Sequence, residues 1–153
     1  MDNGVLIHRA ENPAKTYLRR YRALVARLDS LQRAIEAAYS RATSCTARIK
    51  PVMVTGGSAA YDRMAEDVAR IADETEQLYA EKKKVNAALA EILRAIDAVP
   101  DETQKAVLTM RYIEGLDWIT IAERIQYEER QTFIIHGRAL WNVNKWREAN
   151  GIA

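Results

Sequence analysis

MAEDVARIADETEQLYAEKKKVNAALAEILRAIDAV, residues 64–99, decides the fold. Within it Met64, Val68, Ile71, Thr75, Leu78, Lys82, Val85, Leu89, Ile92, Ile96 and Val99 follow one another at alternating steps of four and three. A mean spacing of 3.5 residues keeps one stripe on a single side of a supercoiled helix. The stretch therefore reads as a long helix that packs through a coiled-coil seam. Thr75 and Lys82 put polar groups into that seam. Such groups can specify register, and a lysine can also snorkel past its neighbours.

Upstream, Tyr17, Tyr21, Leu24, Leu28, Leu31, Ile35 and Ala38 form a second run of the same period. Between the runs lies TSCTARIKPVMVTGGS, residues 43–58, where Pro51 and the Gly56–Gly57 pair break helix and Ser58 can cap the next one. Pro13 suits the start of the first helix, where a missing N–H does little harm. The expectation is an all-α chain: an N-terminal arm (1–14), a long antiparallel coiled-coil hairpin (15–99, loop about 43–60) and a C-terminal module (100–153). At 1.5 Å per residue the two seams span roughly 32 Å and roughly 52 Å. Aligned at the loop, Ala38 faces Met64 and Tyr17 faces about Val85. Leu89, Ile92, Ile96 and Val99 then need cover from the arm (Val5, Leu6, Ile7), from the C-terminal module or from a second protomer. A homodimer through the hairpin is the expectation.

Composition narrows the function classes. The 153 residues are 48% hydrophobic and 29% charged, with one Phe, so a β-rich core is poorly supplied. No run of about eighteen apolar residues exists, so no membrane partner is expected. The first thirty residues lack the pattern of a signal peptide, and Cys45 is the single cysteine, so the cytoplasm of a bacterial host cell is the expected compartment. No cofactor or metal site is expected: two His and one distant Cys lack zinc spacing, and the GGS at 56–58 lacks the Lys-Ser/Thr of a phosphate loop. The carboxylates are spaced along helix faces without a cleft for acid–base work, so no catalytic residue is assigned and no enzyme is expected. His136 is expected to face solvent or to cap packing in its helix. Trp118, Trp141 and Trp146 read as core anchors, and Lys82–Lys84 as a solvated face. The net charge of +2 is uneven: ten basic and four acidic side chains in residues 1–50, six and eleven in 51–102, seven and six in 103–153. The basic first helix is thus a candidate for phosphate contacts.

The C-terminal module opens at AVPDE, 98–102, where Pro100 stops the long helix, Asp101 can cap the next, and Gln104 sits at the capping-box position. Three short helices follow. The first carries Val107, Leu108, Arg111 and Tyr112 and ends at Gly115. The second runs from about Asp117 to Ile125, burying Trp118, Ile121, Ala122 and Ile125. The third starts near Glu128 and continues through Leu140 towards Trp146. A tight joint before a helix with polar side chains at its start is what a major-groove reader needs.

Leu108-x-x-Arg111-Tyr112, Gly115-x-x-Trp118-x-x-Ile121-Ala122, Ile125-x-Tyr127 and His136-Gly137-Arg138-Ala139-Leu140 resemble region four of bacterial sigma factors. More closely, they are similar to phage sigma-like, ArpU/RinA-type transcriptional regulators. YLRRYRALVARLD at 17–29 and ATSCTA at 42–47 extend the likeness, so it covers about residues 15–146. The resemblance implies regulation of phage late or structural genes through double-stranded DNA, with RNA polymerase as a further partner. It makes the third helix the recognition helix, with Glu129, Arg130, Gln131 and Ile134 facing the groove and Arg138 and Arg124 on phosphates. Regulators that read DNA commonly pair half-sites, which also favours a dimer. Departures from the pattern are Glu128 where Ser or Thr is usual, Thr132 where a larger apolar residue is usual, and the bulk of Phe133 and Ile134. The alternatives are a helical adaptor with a degenerate helix-turn-helix, and a DNA-recognition component of phage packaging.

Overall fold

A computed structural model of the chain describes residues 11–46 and 59–152. The N-terminal arm with Val5, Leu6 and Ile7, the Pro51 and Gly56–Gly57 breaks, the Ser58 cap and the Cys45 side chain lie outside the described residues. Five α-helices are present: α1 (Pro13–Thr46), α2 (Ala59–Asp97), α3 (Glu102–Leu108), α4 (Trp118–Ile125) and α5 (Glu129–Ala149). A π-helical segment, Thr109–Glu114, extends α3. No strand occurs among the described residues. Pro13 is the first residue of α1, and Asn12 caps that helix, its Oδ1 accepting from the Ala14 N–H at 3.0 Å.

The chain divides into two compact units, one formed by the residues up to Arg22 and from Ala88 onward, the other by Ala23–Ala87. In the second unit α1 and α2 pack as an antiparallel hairpin. Leu24, Leu28, Leu31 and Ile35 are half-buried and Ala38 is buried, so the seam of α1 lies where its spacing puts it. The Thr75 hydroxyl donates to the Ile71 carbonyl at 2.6 Å, which satisfies it within its own helix.

The seam of α2 follows the expected one from Ile71 onward except at Lys82. Ile71, Thr75, Leu78 and Leu89 are half-buried and Val85, Ile92, Ile96 and Val99 are buried, while Lys82 is exposed. Met64 and Val68 are exposed as well. Strict alternation of four and three steps selects Lys82. The helix instead buries Glu81, whose carboxylate reaches Arg27 at 3.3 Å and Lys84 at 3.0 Å, and the small Ala88 and Ala95.

In the first unit Ala14, Tyr17, Leu18, Ile92, Ala95, Ile96, Val99, Leu108, Tyr112, Ala139, Leu140 and Val143 form one continuous core. Arg20 pairs with Glu91 at 3.4 Å. Tyr17 thus shares its core with Ile92, one heptad beyond the Val85 that the alignment at the loop set opposite it. Ile92, Ile96 and Val99 are at most 2% exposed within a single chain. The start of α1 and the α3–α5 module cover them, which removes the reason for expecting a second protomer there.

Two polar clamps tie this unit together. Arg147, 7% exposed, lies over the Tyr17 ring at 5.0 Å and donates to Asn144 Oδ1 at 3.1 Å. Burial pushes the Tyr17 hydroxyl up to about 12. Arg22 reaches the carbonyls of Ile113 and Glu114 at 3.4 and 3.3 Å, where the π-helical segment ends at Gly115 with φ of 78°. A Cβ at 115 would run into the Arg22 guanidinium and would face a left-handed backbone. Gly115→Ala should therefore lower stability by about 2 kcal/mol, read as a reduced urea midpoint at unchanged m. An unaltered midpoint would show that neither the backbone nor Arg22 constrains this turn.

Candidate functional site

The site is built on α4, the turn after it, and α5. Asp117 caps α4, its Oδ1 accepting from the Thr120 N–H at 2.8 Å, and that backbone hydrogen bond holds its carboxyl below the usual carboxylate range. Asp101 caps α3 in the same way through the Gln104 N–H at 2.8 Å. The Gln104 side chain does not close a capping box; its Oε1 accepts from Asn142 Nδ2 at 2.8 Å and so ties α3 to α5. Ile121 and Ala122 are buried under α4, and Ile121 packs with Val107, Met110 and Ile135. Arg111 lies over the Trp118 ring at 4.7 Å and donates to the Leu116 carbonyl at 2.7 Å, fixing the bend between the π-helical segment and α4.

Between α4 and α5 the chain turns within Gln126, Tyr127 and Glu128. Gln126 takes the left-handed conformation (φ 59°) without being glycine. Glu128 occupies the N-cap of α5 but makes no side-chain cap, its carbonyl accepting from the Thr132 N–H at 2.9 Å. Thr132 is fully buried, and its hydroxyl donates to the same carbonyl at 3.0 Å. A small β-branched residue thus secures the helix start from inside.

Glu129, Arg130 and Gln131 stand exposed on the first turn of α5, with Ile134 and Arg138 exposed on the turns that follow. Among the described residues Arg130 and Arg138 make no ion pair or hydrogen bond. Arg124 differs: it extends from α4 to Glu114 at 3.0 Å, so it is already engaged. Five arginines of α1 are engaged too. Arg19 pairs with Glu11, Arg20 with Glu91, Arg27 with Glu81 and Arg33 with Asp29, while Arg22 caps carbonyls. Half of the ten basic side chains of residues 1–50 are therefore engaged within the chain.

Of the two placements expected for His136, solvent or packing, the structure shows packing. His136 is 7% exposed, its Nε2 lies 2.9 Å from the Tyr112 hydroxyl, and the Trp118 ring stands edge-on at 4.7 Å. Burial drives its pKa down to about 4, with Lys15 and Arg111 adding repulsion, so the ring is neutral at pH 7. The tryptophans also divide. Trp118 is half-buried and supports Phe133 at 4.9 Å, and Trp146 packs against the core. Trp141 is 62% exposed, with Lys145 over its ring at 5.1 Å, and anchors nothing inside the fold.

Charge along α5 sharpens the picture that whole-module counting blurs. Between Glu129 and Glu148 the helix carries Arg130, Arg138, Lys145 and Arg147 and no acidic residue. Counting by segment hid this stripe, because Glu114, Asp117, Glu123 and Glu128 lie before it. Among the described residues no helix is long and apolar enough to cross a membrane. No family model, curated protein or solved structure matches the chain.

Proposed function

We propose that this chain is a duplex-DNA-binding regulator of transcription, of phage or prophage type, that enters a major groove with the first turns of α5. The observation that carries the reading is the exposed start of α5, set at a three-residue turn from α4, with Arg130 and Gln131 unengaged and only basic charge between Glu129 and Glu148. A helix of this kind fits a groove about 12 Å wide. Arg130 can pair with guanine O6 and N7, and Gln131 with adenine N6 and N7. Ile134 lies one turn on, beside them. Arg138 positions the helix on phosphate without specifying sequence. Arg124 joins it only by leaving Glu114, an exposed pair that is worth little. RNA polymerase is a second proposed partner.

A second reading, a helical adaptor, draws on Phe133 and Ile134, which are 48% and 42% exposed. Fluorescence anisotropy of the full chain against a random-sequence duplex separates the two. Two phosphate contacts, from Arg138 and Lys145, should give log K falling with log salt at a slope of about −2. Arg138→Ala should reduce that slope by about one and leave sequence preference unchanged. Absence of binding at micromolar protein and low salt would favour the adaptor.

A further inference from the structure

Gly137 lies mid-way along the exposed face of α5, and nothing inside the fold asks for glycine there. It is not among the residues with positive φ, and a Cβ built on it meets no atom within 4 Å. Glycine in a helix interior lowers helix stability relative to alanine. The residue therefore leaves a gap on the surface and makes no compensating contact within the chain.

Apolar side chains stand on either side of the gap along the helix. Phe133 lies one turn before it, held against Trp118, and Trp141 lies one turn after it, with Lys145 over its ring. Ile134 follows Phe133 and is 42% exposed. Between them the helix surface is open. Along the axis the cations Arg130, Arg138 and Lys145 are spaced by roughly 12 Å and roughly 10 Å, with no acidic residue between them. A gap in a stripe of this sign complements a polyanion that carries small apolar groups on its reading edge. The major groove of B-form DNA is such a surface, because each thymine presents a methyl there.

We infer that the Gly137 gap seats a thymine methyl of the bound duplex, making Gly137 a specificity-determining residue. The inference rests on the DNA reading above. The glycine lets a helix carrying Phe133, Ile134 and Trp141 approach the base edges despite their bulk, with the methyl over the open helix backbone.

The test uses the full chain and a duplex selected by it from a random-sequence pool. Replacing thymines one at a time by deoxyuridine removes only the methyl. One such replacement should weaken binding about four-fold, the worth of one buried carbon. Gly137→Ala should bind the selected duplex roughly ten-fold more weakly, as overfilled contacts do. It should no longer distinguish thymine from uridine at that position, and its melting temperature should rise by a few degrees. Because the variant is expected to be more stable, weaker binding cannot come from unfolding. Wild-type indifference to every thymine-to-uridine replacement, or unchanged affinity and discrimination in Gly137→Ala, would overturn the inference while leaving the DNA reading in place. Failure of the wild-type chain to enrich any sequence would overturn both.

Discussion

Lowering the pH from 7 to 4 should destabilise the fold by about 3 kcal/mol through His136 alone. The imidazole is buried against Tyr112 and Trp118, and its pKa is held near 4 against an ordinary value of 6.5. The unfolded chain takes up a proton near pH 6.5 that the folded chain refuses until about 4. The contribution is therefore complete above 6.5 and lost as the pH falls through that window. Urea unfolding of the wild-type chain and of His136→Gln, across pH 4 to 7, isolates it. The variant should show a flatter acid limb, by most of those 3 kcal/mol, since the carboxylates titrate equally in both proteins. Parallel limbs would mean that His136 is protonated or solvated in the folded state.

Ile92→Ala should be the most damaging of the simple core truncations. Ile92 is fully buried, in a core that joins the start of α1, the end of α2, α3, the π-helical segment and α5. Removing three carbons from such a site costs about 3–4 kcal/mol, from lost transfer energy and the cavity left behind. The loss should be the same at low and high protein concentration, because the residues covering Ile92 belong to its own chain. A loss that shrinks as protein concentration rises would restore a second protomer to this surface.

How much of this was legible beforehand differs by the kind of interaction. Helix existence and ends were readable because Pro13, Asp101 and Asp117 act on backbone groups a few residues away. The α2 seam was readable except at Lys82, where the spacing points to a lysine and the helix buries Glu81, which pairs with Arg27. The surroundings of Tyr17 were not readable, since it shares a core with Ile92, Val99 and Val143, distant in sequence. At the candidate site, the exposed positions of Arg130 and Gln131 on the first turn of α5 were indicated by the resemblance to sigma region four. The burial of His136 was not, since it depends on Tyr112 being 24 residues away in sequence and 2.9 Å away in space. Gly137 gave no local signal either. Its meaning comes from the open space around it.

The DNA reading is tested most directly by replacing Arg130 and Gln131 together with alanine and comparing affinity for the selected duplex with affinity for a scrambled one. Two bidentate base contacts should each be worth a factor of roughly ten or more. The double variant should therefore lose about a hundred-fold of sequence preference while keeping most of its salt-sensitive binding to either duplex. An unchanged preference in that variant, with an unchanged footprint on the selected site, would contradict the assignment of α5 as the reading helix.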